Sequence, residues 1–254
     1  MVTGLILAAG AGKRFGSEKP KQFCILNKRP VLFYTIKAFV DAKCCDNIVL
    51  VLSKPFFSLG KKIIKAFPNA QKQIHICEGG ETRQDSVYLG VLKAIELNDN
   101  NPKGIKIISH CGARPALPKS IILENLAKIS PRRCVNTVRK VFDTLIYKAL
   151  DKALDKDSDT ASDTLANKVS EENFNFIDRD KTFAVLTPQS FFAEDYITAY
   201  LPVRDRIGQY TCVCSVMTSY GFGMDLIVSD YPIKKITVKS DINVVKHDLK
   251  DLCE

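Results

Sequence analysis

The chain has 254 residues, 46% apolar and 26% charged, enough for one large α/β domain with an ordinary core and surface. No window approaches ~18 uninterrupted apolar residues, and Met1 runs into the first apolar stretch without a basic leader; neither a membrane span nor a signal peptide is expected. The formal charge of +9 suits phosphorylated small molecules, whereas nucleic acid is not expected as a partner, because no basic stripe interleaves with aromatics and no zinc-finger spacing occurs.

In chain order, Val2 to Leu7 reads as a buried parallel strand. Pro30 to Val40 has helical spacing with proline at its start. Asn47 to Leu52 is a second strand, Ser58 to Phe67 a lysine-rich amphipathic helix, and Ile74 to Cys77 a short strand. After Gly79-Gly80, residues Arg83 to Glu96 read as a helix with Val87, Gly90, Val91, Ala94 and Ile95 inward. Ile105 to Ser109 is a strand, Lys119 to Lys128 a helix and Cys134 to Thr144 a strand. Lys148 to Asn175 is polar and charged; it reads either as a solvated loop or as a projecting arm that packs on a second subunit. Thr182 to Leu186 is apolar, Phe191 to Tyr200 helical, and Leu226 to Ser229 and Lys235 to Val238 strand-like. Ser240-Asp241 then caps a terminal helix through Leu252. Strands alternating with helices predict a doubly wound, mostly parallel α/β sheet. The expected organisation is one domain over residues 1–254 with an arm inserted at 145–178.

Nine cysteines are scattered through apolar runs with no CxxC pair. That pattern predicts reduced core thiols and a cytoplasmic location. Cys212-Val213-Cys214 alternates like a strand, which would put both thiols on one face. With only His75, His110 and His247 in the chain, no structural metal site is expected.

The stretch carrying most information is Leu5-Ile6-Leu7-Ala8-Ala9-Gly10-Ala11-Gly12-Lys13-Arg14-Phe15-Gly16, followed by Pro20-Lys21-Gln22. An apolar strand ends in small residues and glycines, so a ligand can lie against bare backbone. Successive N–H groups can cradle anions, and Arg14 and Lys21 are cations suited to phosphate oxygens. No Gly-Lys-Ser/Thr closes the loop, so it is not a P-loop. Phe15 stands where a dinucleotide fingerprint needs glycine. The plainer alternative is a tight strand-to-helix turn with solvated cations.

Further motifs accompany it: Glu78-Gly79-Gly80-Glu81-Thr82-Arg83-Gln84-Asp85-Ser86-Val87, His110-Cys111-Gly112-Ala113-Arg114-Pro115, Asp143-Thr144, Asp178-Arg179 with Leu186-Thr187-Pro188-Gln189, and Lys235-Ile236-Thr237 with Asp241. In order and spacing, nearly end to end, they resemble the 2-C-methyl-D-erythritol 4-phosphate cytidylyltransferases, with the ribitol-5-phosphate cytidylyltransferases as a sister family. The Thr-Arg-Gln-Asp-Ser-Val run is closer to the erythritol enzymes; Asp230-Tyr231-Pro232 is closer to the ribitol ones. The resemblance implies a Rossmann-like sheet of nucleotidyltransferase type with a dimerisation arm, a homodimer, and Mg2+ with CTP. It implies attack of a polyol phosphate on the α-phosphorus of CTP with loss of pyrophosphate, a step in isoprenoid precursor synthesis for the erythritol enzymes. Arg14, Lys21 and Lys235 match the catalytic cations, Lys235 also touching the substrate phosphate. Ala8, Ala9, Gly10, Gly12, Gly79, Gly80, Ser86, Cys111, Gly112, Arg114 and Thr187 match nucleotide-site positions. Thr144 and Arg179 match residues that hold the sugar phosphate, Arg179 reaching across from a partner's arm. Plainer alternatives stand beside three of these: an ion pair of Arg179 with Asp178 or Asp180, a turn at Thr187, and a helix cap at Ser86.

The chain departs from the family pattern at acidic positions. Cys111 stands where the resemblance puts the magnesium-binding aspartate, Cys212 where it puts an acid after threonine, and Pro232 and Ile233 where it puts an acid and an asparagine. A thiol is a poor ligand for a hard cation. Asp85 or Asp230 is a candidate replacement, and the metal ligands are left unassigned. Three readings follow: an active cytidylyltransferase, a non-catalytic relative that binds a nucleotide as a sensor, or a nucleotidyltransferase of other specificity.

Overall fold

The computed structural model describes residues 1–148, apart from 11, 13, 14, 17 and 18, and residues 174–252. The chain divides into two units, Met1–Val138 with Val185–Glu254, and Arg139–Ala184.

The first unit is built on a seven-stranded sheet. Its strands are β1 (Val2–Leu7), β4 (Asn47–Leu52), β5 (Ile74–Glu78), β6 (Lys106–Cys111), β7 (Arg133–Lys140), β10 (Phe183–Phe192) and β11 (Gly223–Val228), in the spatial order β11-β7-β10-β6-β1-β4-β5. A hairpin of β2 (Ile25–Leu26) and β3 (Arg29–Pro30) stands apart from it. Strand β1 pairs in parallel with β4 and β6, β4 with β5, and β11 with β7, while β10 runs antiparallel to β6. The apolar runs read as strands are covered on both faces, as parallel strands must be: Leu5, Ile6, Val49, Leu50, Val51 and Leu52 are fully buried.

Helices α1 (Val31–Ala42), α2 (Phe57–Ile64) and α4 (Lys119–Lys128) share one apolar cluster. Helices α3 (Arg83–Glu96), α5 (Ala193–Tyr200) and α6 (Val213–Ser219) share the other, and α7 (Asp241–Asp251) packs with Phe15, Leu26 and Val31. Gly90 lets α3 lie close on the sheet; a Cβ there would sit 2.3 Å from Leu5 Cδ1.

The second unit carries the ribbon of β8 (Leu145–Lys148) and β9 (Phe174–Ile177), paired antiparallel with Ile146 opposite Phe176. Most of the polar stretch expected over Lys148 to Asn175, residues 149–173, lies outside the described residues.

Four expectations are corrected. Lys235 to Val238 is not a strand: the N–H groups of Thr237 and Val238 bond to the Asp241 carboxylate at 2.7 and 2.9 Å, so a side chain takes the place of a neighbouring strand. The Ser240 hydroxyl makes no cap bond to the terminal helix. Cys212 to Cys214 is not a strand either, because the Cys212 sulfur accepts from Ser215 N at 3.4 Å and caps α6 in the way serine commonly does. Phe191 and Phe192 still belong to β10, and the helix starts at Ala193.

Candidate functional site

From β1 the chain moves to β4 and β5 on one side, then returns with β6 on the other. The carboxyl ends of β1 and β6 therefore flank a topological switch point, where open α/β sheets leave a crevice. A cleft of about 470 Å3 opens there, lined by Ala8–Gly10 and Gly12 after β1, Gly80–Arg83 and Ser86 around the start of α3, Cys111 at the end of β6, and Lys21 and Lys235.

Side chains brace the glycine turn from behind. Gln22 Nε2 donates to the carbonyls of Ala8 at 2.6 Å and Gly10 at 3.1 Å, and Ser53 Oγ donates to Ala9 O at 2.6 Å. Gly12 takes φ +68°, a left-handed conformation that glycine adopts without strain. Across the cleft, Thr82 and Asp85 form a capping box at the start of α3, with Asp85 N to Thr82 Oγ1 at 3.1 Å and Thr82 N to Asp85 Oδ2 at 3.0 Å. Thr82, not Ser86, is thus the helix cap. The Ser86 hydroxyl instead accepts from Gly80 N at 3.1 Å and donates to Thr82 O at 3.0 Å, holding the Gly80 turn against the helix.

Lys235 reaches the cleft on irregular backbone. Ile233 and Ile236 on either side are fully buried, and Ile236 N bonds to Ala113 O at 2.9 Å. The Arg114 guanidinium donates to the Ile233 carbonyl. Ile233 has φ +39°, unusual for a β-branched residue and of order 1–3 kcal/mol in cost. The segment is therefore held from outside itself, by the Ala113-Arg114 turn and the two buried isoleucines. Arg114, Thr187, Thr211 and Cys212 line an adjoining cavity of about 250 Å3, which shares Arg83, Cys111 and Lys235 with the main cleft.

The shared thiol responds to these charges. Burial pushes the Cys111 thiol up, but the cations of Arg83 and Lys235, the Ala113 N–H and Arg114 together bring it below its ordinary value. Cys212 is lowered to about 5, chiefly by the hydrogen bond from Cys214, against its own burial and with help from Gln189 and Ser215. Both cavities present cations and sulfur.

Magnesium takes oxygen ligands in near-octahedral geometry. Among the described residues no three His, Cys, Asp or Glu side chains converge as a metal site. Asp85 is occupied by Thr82 and by Tyr200, whose hydroxyl bonds to Oδ1 at 2.6 Å. Asp230 is exposed and lines neither cavity. Glu81 is the one carboxylate among the main cleft's described lining residues, too few oxygens to hold Mg2+ without those of a bound triphosphate.

The structure brings together Ala8, Ala9, Gly10, Gly12, Lys21, Gly80, Ser86, Cys111 and Lys235 in the main cleft, and Arg114 and Thr187 beside it. Gly112 is buried, and Gly79 is half-buried, lining a different cavity beside Glu78. A Cβ on Gly79 would meet Ala9 Cβ at 2.3 Å, and one on Gly112 would meet Ala8 Cβ at 2.9 Å, so both are close-packing positions. Arg14 lies outside the described residues. Thr187 sits within β10 and accepts from Cys111 N at 3.4 Å, so it is no turn residue. Thr144 and Arg179 belong to the second unit; Arg179 donates to Phe142 O at 3.2 Å, while Asp178 pairs with Lys181 at 3.3 Å. Arg83 is the cation that motif reading passed over, although it stands inside a quoted motif. It is the first residue of α3 after the Thr82 cap, and it lines both cavities.

A family model described as 2-C-methyl-D-erythritol 4-phosphate cytidylyltransferase matches residues 2–250. A relative of that description from Alkaliphilus oremlandii is 30% identical, over 97% of this chain and 94% of its own length. A ribitol-5-phosphate cytidylyltransferase from Vibrio parahaemolyticus is 29% identical over the same shares, 97% and 94%. The crystal structure of a 4-diphosphocytidyl-2C-methyl-D-erythritol synthase from Anaerococcus prevotii superposes with a TM-score of 0.74 at 22% identity, covering 98% of this chain and 96% of that one, a likeness of fold.

Proposed function

Because the chain belongs to the 2-C-methyl-D-erythritol 4-phosphate cytidylyltransferase family, we propose that it transfers a cytidylyl group from CTP to 2-C-methyl-D-erythritol 4-phosphate and releases pyrophosphate. The observation that supports this most is one cleft with Lys21 from the start of the chain and Lys235 from its end. An oxygen of the acceptor phosphate forms a bond to the α-phosphorus, and the bond from that phosphorus to the bridging oxygen of pyrophosphate breaks. Both reactants are anions, and the five-coordinate phosphorus gathers negative charge. Fixed cations bring the reactants together and stabilise that charge, and no covalent nucleophile is needed. In this reading Lys21 and Arg14 hold the triphosphate and Lys235 the reacting phosphate. The backbone at Ala8–Gly10 and Gly80, with Ser86, holds the nucleoside. Mg2+ is expected to arrive on the triphosphate's own oxygens.

A second acceptor has support in the ribitol-5-phosphate relative, which matches nearly end to end. Pyrophosphate release with CTP, measured against both polyol phosphates, decides between them. The expected result is release with the erythritol phosphate at a kcat/KM at least about tenfold above that with the ribitol phosphate. CTP binding without release with either would instead favour a nucleotide sensor.

We further propose a cytoplasmic homodimer. The described cysteines are free thiols, as suits a reducing compartment, and no described helix is long and apolar enough to cross a membrane. The second unit exposes Phe142 (77%), Ile146 (58%) and Phe176 (77%), an apolar surface suited to a partner's arm. On this reading the arm delivers Thr144 and Arg179 to the partner's sugar-phosphate site. Phe176→Asp is expected to give monomers by light scattering and to raise KM for the polyol phosphate about tenfold or more, with CTP affinity kept. A dimer with unchanged KM would remove this part of the proposal.

A further inference from the structure

On the first unit, away from the nucleotide cleft, the β2–β3 hairpin and the helices α1 and α2 enclose a groove of about 310 Å3. Phe23, Ile25, Phe33, Leu59 and Ile63 supply apolar walls, and Ile25 is left 62% exposed. The walls are braced by ring contacts, Phe23 stacked on Phe56 at 5.2 Å and Phe33 on Phe67 at 4.9 Å. The rim is cationic: Lys19, Arg29 and Lys62 line it, with no carboxylate among the described lining residues. The Arg29 guanidinium carbon lies 5.2 Å from the centre of the Phe33 ring, so the charge is seated directly on the aromatic wall.

An apolar slot with a positive edge has one complementary partner, a hydrocarbon with a single anionic head. The volume is at the small end of ligand pockets. Docking of a second copy would bring two positive rims together in a chain already carrying +9, which charge complementarity disfavours. The groove also communicates with the cleft. Phe23 forms its wall and ends the short turn Lys21–Phe23, closed by Phe23 N to Pro20 O at 2.9 Å. The residue before it, Gln22, holds the carbonyls of Ala8 and Gly10. A ligand wedged against Phe23 bears on the residues that fix Lys21 and the glycine turn.

We propose that this groove binds a small amphiphilic anion and that its occupancy changes CTP affinity. Calorimetric titration of the whole protein with decanoate, decyl phosphate and neutral decanol tests it. Both anions are expected to bind at one site, with decanol about tenfold weaker or worse; the tighter anion tells a carboxylate ligand from a phosphate one. The double variant Arg29→Glu/Lys62→Glu, at two exposed positions, is expected to lose at least about tenfold for both anions while its CTP affinity and pyrophosphate release without ligand stay as in the parent. Ala66→Trp, which fills the slot, is expected to lose all three ligands. A saturating anion is expected to shift the CTP dissociation constant several-fold in the parent and not in the double variant. Decanol binding as well as decanoate, or anion binding unchanged in the double variant, overturns the site. A CTP constant that does not move overturns the coupling. A change of mass in the double variant by light scattering, with no anion binding in the parent, shows a face between copies instead. The anion titrations and the CTP dissociation constants need no acceptor substrate, so the site stands or falls apart from the proposed reaction.

Discussion

Replacing Lys235 with alanine is expected to lower kcat for pyrophosphate release by about a hundred- to a thousandfold, with the thermal midpoint and CTP affinity nearly unchanged. The ammonium lines both cavities, the only lysine among their described lining residues to do so. In the proposed reaction a group at that junction meets the acceptor phosphate and the α-phosphorus together, so its loss is expected to fall on the step in which charge accumulates rather than on ground-state binding. Lys235→Arg keeps the charge on a longer, planar head and is expected to recover only part of the rate. A companion change separates charge from position. Arg114 touches the Ile233 carbonyl and so fixes the strained segment that carries Lys235. Arg114→Lys keeps a cation but loses the planar fork. It is expected to reduce kcat about tenfold and to lower the protection of the 233–237 amides in hydrogen exchange, which Lys235→Ala leaves intact. If Lys235→Ala raises only KM, the lysine is a binding residue and not a transition-state one. If Arg114→Lys slows turnover without loosening those amides, its part is charge and not support.

Much of this arrangement was legible before any coordinates. Val2–Leu7 and Asn47–Leu52 are strands because apolar runs of that length bury both faces in a covered parallel sheet, while Ile74–Glu78 is the half-buried edge strand beside them. The glycine turn and Lys21 are legible in an apolar strand that ends in small residues and a cation, and Gly80 in the motif that carries the family resemblance. What escaped notice depends on tertiary approach. Ile-Thr-Val at 236–238 has the composition of a strand, yet Asp241 satisfies its N–H groups from three and four residues downstream. Cys212 looked like half of a strand pair because sulfur is rarely read as a cap. The resemblance matches Gly79 and Gly112 to the nucleotide site, and a second reason for glycine at each is tertiary: a Cβ there would collide with a neighbouring alanine of the β1 turn. Arg83 stands inside a quoted motif, but only the packing of α3 against the sheet brings it to the lining of both cavities. The hairpin at Ile25–Pro30 turns on Asn27 and Lys28, both at positive φ, and Lys28 carries none of the usual signs of such a turn.

The stability of the chain is expected to fall steeply as the pH drops from about 6.5 towards 3, with His110 as a principal cause. The imidazole is fully buried, 6.0 Å from the ring of Phe39, and its Nε2–H donates to Arg114 O at 2.9 Å. Burial, with the charges of Arg114 and Arg83 acting the same way, lowers it from an ordinary 6.5 to about 3, against the pull of the backbone bonds. The sign follows from proton binding. Between those values the unfolded chain takes up a proton that the folded chain refuses, so acid favours unfolding. Stability is complete above about 6.5 and is lost downward, by up to roughly 4 kcal/mol if the whole window is crossed. Urea midpoints measured at intervals from pH 7 to pH 4 check this against His110→Gln. That variant keeps a side-chain N–H for the Arg114 carbonyl and removes the titration. It is expected to start less stable and to lose less on acidification, so the two curves converge. Parallel curves would assign the acid sensitivity to carboxylates instead. The coupling reaches the site as well, because the carbonyl that His110 holds belongs to the residue whose guanidinium supports Ile233. Acid unfolding that takes His110 out of its burial takes the Ala113-Arg114 turn with it, and with that turn the bracing of Lys235. Because the folded imidazole stays neutral down to about pH 3, its contribution to any acid loss of catalytic rate is expected to track the folded fraction and to shrink in His110→Gln.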